Sequence, residues 1–136
     1  MIAVSTFLMF QGNAEDALAL YQETFDEFVV ILRERQTTPG GQDQVEVVHV
    51  DFGGQRLKIF DSPIPHAFDF TPSTSIFIDL EAARFEDVVA ALSEGGEFLM
   101  PPDDYGFSLR FSFVKDRFGV SWQINVPTPL NDEAPT

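Results

Sequence analysis

Hydrophobic and polar positions change period several times along the chain, and each change marks an element. Thr6 to Phe10 is a short apolar run rich in strand formers, closed by Gly12 and Asn13. Beyond it, Ala14, Ala17, Leu18, Tyr21 and Phe25 fall at i, i+3, i+4, i+7 and i+11, which places them on one face of a helix. Asn13 stands where an N-cap acceptor is needed, and Glu15 and Asp16 bring negative charge to the positive end of the helix dipole. Three extended segments follow, Phe28 to Arg35, Val45 to Phe52 and Arg56 to Phe60, separated by the turn signals Pro39-Gly40-Gly41 and Gly53-Gly54.

Asp61 to Pro72, with three prolines and no period, reads as a connector, and after it the order repeats. Thr74 to Leu80 alternates as a strand, Phe85, Val88, Val89 and Leu92 mark a helical face, and Gly95-Gly96 stops that helix. Gly96 to Met100, Ser108 to Val114 and Val120 to Val126 supply three more strands, with Pro101-Pro102 and Tyr105-Gly106 read as a turn or lip. GQRLKI (Gly54 to Ile59) and GVSWQI (Gly119 to Ile124) share a glycine and apolar residues three and five positions later, at an offset of 65. Two structural duplicates follow from this, since longer solenoids need three or more repeats. The expectation is one domain over 1–136, with module one at 1–61, a connector at 62–72, module two at 73–127 and a frayed tail at 128–136. Phe107, Leu109, Phe111 and Phe113 alternate with Ser108, Arg110 and Ser112, and Trp122 and Ile124 alternate with Gln123 and Asn125. The simplest arrangement buries both apolar rows against the helices and leaves the polar rows to line a cup.

Composition narrows the partners. With 44% hydrophobic residues and 15 Phe in 136 residues, the chain has the material for an independent core. Its 22 acidic against 8 basic side chains give a net charge of −14, which repels nucleic-acid backbones and anionic membranes, so neither is an expected partner. The absence of Cys removes disulfides and thiolate chemistry. The opening MIAVSTFLMFQG has no basic leader, and no segment reaches the ~20 apolar residues of a membrane span, so the expected location is the cytoplasm.

FLMFQGNAEDALALYQETF (Phe7 to Phe25), STSIFIDL and FVKDRFGVSWQINVP (Phe113 to Pro127) together resemble the PhnB-like, or demethylubiquinone methyltransferase-like, family of the vicinal-oxygen-chelate superfamily. KDRFGVSWQI is the specific part. The resemblance implies an α+β, glyoxalase-like fold in which two paired βαβββ modules form an open, cupped mixed sheet with helices on the outer face, and it implies a homodimer. Enzyme members bind a divalent metal in the cup through His and Glu, and the alignment sets Thr6 and Ser73 at the His positions and Lys58 and Gln123 at the Glu positions. Hydroxyls, an amide and an ammonium are poor ligands for such ions, so no metal and no cofactor is expected. The family's methyltransferase label does not carry over, because GQRLKI precedes a strand and is not the glycine-rich strand-to-helix loop of a nucleotide-type site.

The chemistry left is that of a small-molecule ligand. Lys58 and Arg110, on the polar sides of their strands, suit an anion, with Arg110 bidentate and Lys58 a point charge. Gln123 offers a neutral donor and acceptor, and Thr6, Ser73 and Ser75 offer hydroxyls. His49 shares the less apolar side of its strand with Asp51 and is a candidate general base, while His66 reads as a loop residue. Two functions stay open: a metal-free binder of a small, anionic molecule in the cup, or a glyoxalase- or dioxygenase-like lyase or isomerase working through an atypical site.

Overall fold

The computed structural model describes residues 1–37, 40–41 and 44–129. Pro39 of the first turn signal and residues 130–136 of the expected tail lie outside them. The chain divides into two compact units, Met1–Asp69 and Phe70–Thr136. The first contains β1 (Thr6–Phe10), α1 (Ala14–Thr24), β2 (Phe28–Thr37), β3 (Gln44–Phe52) and β4 (Gln55–Asp61). The second repeats the succession with β5 (Ser75–Asp79), α2 (Ala82–Ser93), β6 (Glu97–Asp103), β7 (Arg110–Lys115) and β8 (Ser121–Val126). The sheet orders match, β1-β4-β3-β2 and β5-β8-β7-β6. In each sheet the first strand is parallel to the last and the other pairs are antiparallel. The sequence echo therefore marks equivalent places: Gly54 (φ 92°) and Gly119 (φ 94°) lead into β4 and β8, the interior strands that carry the parallel pairing.

One face of each sheet is closed by its helix. In the first unit Leu8, Phe10, Val50, Leu57 and Ile59 are buried, as are Ala17, Leu18 and Tyr21 of α1. The Tyr21 ring lies 5.5 Å from Phe28, and Phe25 lies 5.0 Å from Phe52. In the second unit Phe85, Val88, Val89 and Leu92 of α2 are buried, with Val114, Trp122 and Ile124 on the sheet. Each fully buried side chain of this size contributes about 1.5–3 kcal/mol, so these faces are the source of each unit's stability. Among the described residues, the opposite face of each sheet carries no helix from its own unit.

Three local expectations are corrected. Asn13 makes no side-chain cap; instead the Asp61 carboxylate, at the end of β4, accepts the amides of Gly12 (2.9 Å) and Ala14 (3.0 Å). The cap thus comes from a strand 47 residues away, which no local pattern announces, while Glu15 and Asp16 stand in the first turn as expected. Pro101 and Pro102 do not end a strand, because β6 is an edge strand whose register shifts between Met100 and Asp103, where a missing amide costs little. In β7 the expected faces are inverted. Val114 and Ser112 stand opposite Trp122 and Ile124 and are fully buried, so the row Arg110, Ser112, Val114 faces α2 and Phe111 and Phe113 face away. Alternation fixes which residues share a side but not which side is covered. Ser112 tolerates the covered side because its hydroxyl donates to the Met100 carbonyl at 2.9 Å.

The KDRFG segment is explained by Asp116, which is 2% exposed. One carboxylate oxygen accepts the amides of Phe118 (2.9 Å) and Val120 (3.0 Å), and the other accepts the Trp122 indole N–H (2.9 Å). The turn is thereby tied to the largest core side chain. Gly96 sits beside it for a different reason: a Cβ there would collide with the backbone carbonyl of Lys115. Asp116→Ala leaves three donors without an acceptor at about 1–3 kcal/mol each when buried, and is expected to lower unfolding stability by roughly 3 kcal/mol or more. Urea denaturation followed by Trp122 fluorescence checks this; a loss below about 1 kcal/mol would show that the carboxylate is dispensable.

Candidate functional site

The uncovered faces are where polar side chains gather. In the first unit the β1–β4 register sets Phe7 opposite Lys58 and Met9 opposite Phe60, and the β3–β4 register sets His49 opposite Lys58 and Val47 opposite Phe60. All lie on the side away from α1. Phe7, Val47, Lys58 and Phe60 of this group border a hollow of about 420 Å³ whose walls also include Val45 and Pro63, with Glu34 among its polar groups. The Phe7 and Phe60 rings are 5.6 Å apart. His49 is three-quarters or more enclosed, at 15% side-chain exposure, and its Nε2 lies 3.0 Å from Glu34 Oε1. Among the described residues Lys58 forms no ion pair, although it stands half-buried beside that pair.

In the second unit Ser75, Phe77 and Asp79 of β5 stand opposite Ser121, Gln123 and Asn125 of β8. Gln123 donates to the Ser75 hydroxyl at 2.8 Å, and Asn125 donates to Asp79 at 2.8 Å. Lys58 and Gln123 are equivalent residues of the two central strands, each flanked on the parallel neighbour by a phenylalanine, Phe7 or Phe77.

Three expected site residues go elsewhere. Thr6 pairs with Leu57, which is 1% exposed, so it belongs to the α1 side and accepts a hydrogen bond from Gln55 at 3.3 Å. A shift of one residue relative to the alignment moves a strand side chain through the sheet, and that is the source of the error. Ser73 precedes β5 in a turn, where its hydroxyl meets that of Thr71 at 3.2 Å. Arg110 faces α2, bonded to Glu86 at 2.8 Å with its guanidinium 5.1 Å from the centre of the Phe85 ring. The inverted parity of β7 carried it there. His66, read as a loop residue, holds the Ser62 hydroxyl at 2.8 Å and stacks on Phe68. Phe7, Glu34 and Phe77 were missed; the partner strand's register, which sequence does not print, is what selects them.

The donors do not suit a metal. Phe7 and Phe77 carry no lone pair, the Lys58 ammonium has none to give, and Gln123 is a neutral amide engaged with Ser75. Among the described residues no group of three or more His, Asp or Glu side chains could hold an ion.

The model of the 3-demethylubiquinone-9 3-methyltransferase family matches residues 2–125. The chain belongs to that PhnB-like family. It is 32% identical to a putative 3-demethylubiquinone-9 3-methyltransferase, PhnB protein, from Bacillus cereus, with a TM-score of 0.80 over 92% of this chain and 99% of that one. Protein PA1353 from Pseudomonas aeruginosa is 22% identical, with a TM-score of 0.73 over 95% and 100% of the two chains. A glyoxylase/bleomycin resistance protein/dioxygenase domain from Frankia sp. EAN1pec shares the fold at 14% identity, with a TM-score of 0.67 over 96% of each chain. No curated protein matches the sequence. The family's fold is thus the α+β, glyoxalase-like one that the resemblance implied.

Arg110→Met removes an exposed ion pair and a cation–π contact, together worth about 0.5–1.5 kcal/mol, and is expected to lower the unfolding midpoint slightly. Calorimetric titration with any ligand of the uncovered faces should give an unchanged Kd; a tenfold loss would return Arg110 to the site.

Proposed function

We propose that this PhnB-like protein binds a small molecule with an apolar body and one anionic group on the uncovered face of the first sheet. The observation that carries this reading is Lys58, a half-buried ammonium without an ion pair among the described residues, in a chain of net charge −14. Acidic partners are abundant on such a surface, so an unpaired lysine at an apolar hollow is a group kept for something else. Phe7, Val47 and Phe60 offer the apolar contact, and Lys58 offers a charge-assisted hydrogen bond. Gln123, on the equivalent strand of the second unit, gives that unit's own face a neutral hydrogen-bonding group.

A second reading, an atypical lyase or isomerase, is favoured by one observation: His49 Nε2 lies 3.0 Å from Glu34 Oε1 and His49 is the cross-strand neighbour of Lys58. A carboxylate that orients an imidazole beside a bound anion is the arrangement of a general base. The homodimer implied by the resemblance belongs to this proposal too, and so does a cytoplasmic location. In support of assembly, Val29, Ile31 and Leu32 are each about half exposed on β2, an edge strand, and apolar edges are commonly covered. No helix among the described residues is long and apolar enough to cross a membrane.

Anilinonaphthalene sulfonate, an aromatic body with one sulfonate, is a suitable probe. Lys58→Met is expected to weaken its binding about tenfold or more, since hydrogen bonds to charged groups are worth roughly 1.5–3 kcal/mol, while Lys58→Arg retains it. Equal affinity in wild type and Lys58→Met would overturn the anion reading. In the enzymatic reading His49→Gln abolishes turnover of a substrate while leaving probe binding intact; loss of both would assign His49 to binding alone.

A further inference from the structure

Lys58 shares the hollow of the first unit with one other charged side chain among the described residues, Glu34 of β2. The register fixes how far apart the two stand. Lys58 of β4 is opposite His49 of β3, whereas Glu34 is opposite Val47, two residues along the same strand. Two strand spacings across the sheet and two residues along it put their backbones about 12 Å apart. Val47 lies between them, and Phe7 and Phe60 wall the side nearer Lys58.

These opposite charges border one apolar space without meeting. Among the described residues Lys58 forms no ion pair, and Glu34 meets only His49, through Oε1 at 3.0 Å. The second carboxylate oxygen, Oε2, makes no hydrogen bond there.

The sequence around Glu34 supplies a second observation. It stands between Arg33 and Arg35, the nearest cations along the chain. Alternation sends both to the other face of β2. Arg33 is taken there by Glu15 and Glu46, at 2.8 Å each, and Arg35 stands opposite Glu46. Glu34 therefore turns to the hollow without either arginine, just as Lys58 turns to it without an acid.

The walls decide what kind of molecule answers both groups. A neutral apolar ligand strips water from an ammonium and a carboxylate and returns nothing to either. A plain acid answers Lys58 but lays its tail toward the Glu34 carboxylate. A molecule with an anion at one end, a cation at the other and an apolar stretch between answers each charge and covers Phe7, Val47 and Phe60.

We infer that the ligand is a zwitterion of the ω-amino acid class, with its carboxylate at Lys58 and its ammonium at Glu34. This rests on the Lys58 reading above and adds Glu34 as the residue that sets specificity. His49 holds Oε1, which leaves Oε2 for the ammonium. The Glu34 side chain is 47% exposed, so its effect is a several-fold preference and not one of orders of magnitude.

NMR titration of the wild type, Lys58→Met and Glu34→Gln with 8-aminooctanoate, octanoate and 3-aminopropanoate tests it. Both long acids should bind saturably, and Lys58→Met should weaken both. Glu34→Gln keeps the shape of a half-exposed side chain. It should weaken 8-aminooctanoate about threefold or more without weakening octanoate. For 3-aminopropanoate, too short to reach both groups, Glu34→Gln should change nothing. Octanoate binding that is absent, or indifferent to Lys58→Met, strikes the Lys58 reading and the zwitterion with it. Lys58-dependent octanoate binding, with an 8-aminooctanoate affinity that Glu34→Gln leaves unchanged or alters in the same proportion as octanoate's, overturns the zwitterion alone. An equal dependence on Glu34 for 3-aminopropanoate does the same.

Discussion

The two-residue period of the central strands β4 and β8 is the constraint on which everything else rests. Each pairs with neighbours on both sides, so its alternation is imposed on the whole sheet. Leu57 and Ile59, like Trp122 and Ile124, are committed to the helix side and almost fully buried. Lys58 and Gln123 between them have only the other side to occupy. The polar groups available for a ligand are thus fixed by what the core demands, and the flanking strands add residues to that face according to register.

The same constraint makes the two units chemically different while keeping them geometrically alike. Opposite Lys58 one unit has His49, bonded to Glu34, and opposite Gln123 the other has Phe113, with the Gln123 amide bonded to Ser75 and Asp79 and Asn125 farther along the same face. The phenylalanines at Phe7 and Phe77 are common to both. A duplicated scaffold with diverged faces is how one fold supports many activities, and it is why family membership names the architecture without naming the reaction.

Much of this architecture was legible in the sequence. The helical face from Ala14 to Phe25, the helix stop at Gly95-Gly96 and the echo between GQRLKI and GVSWQI sufficed for two βαβββ units, because each depends on spacing within one segment. What the sequence did not disclose depends on pairing between segments. Asp61 caps α1 from 47 residues away, Thr6 follows Leu57 to the helix side, and Ser112 takes a covered position because Met100 supplies its acceptor. Arg110 was misplaced for the same reason: a row of alternating Phe and Ser shows two sides equally well, and only the partner strand decides which one meets α2. The side taken by Lys58 and Gln123 was legible because they sit between residues too apolar to face anything but a core.

The central claim is that Phe7 and Lys58 share one face of the first sheet, and Phe77 and Gln123 the corresponding face of the second. Nuclear Overhauser contacts in isotope-labelled protein measure this directly. The account predicts cross-peaks from the Phe7 ring to the Lys58 side chain and from the Phe77 ring to the Gln123 side chain, with the Thr6 methyl close to Leu57. Contacts from the Thr6 methyl to Lys58, with Phe7 against α1, would reverse the faces of β1 and contradict it.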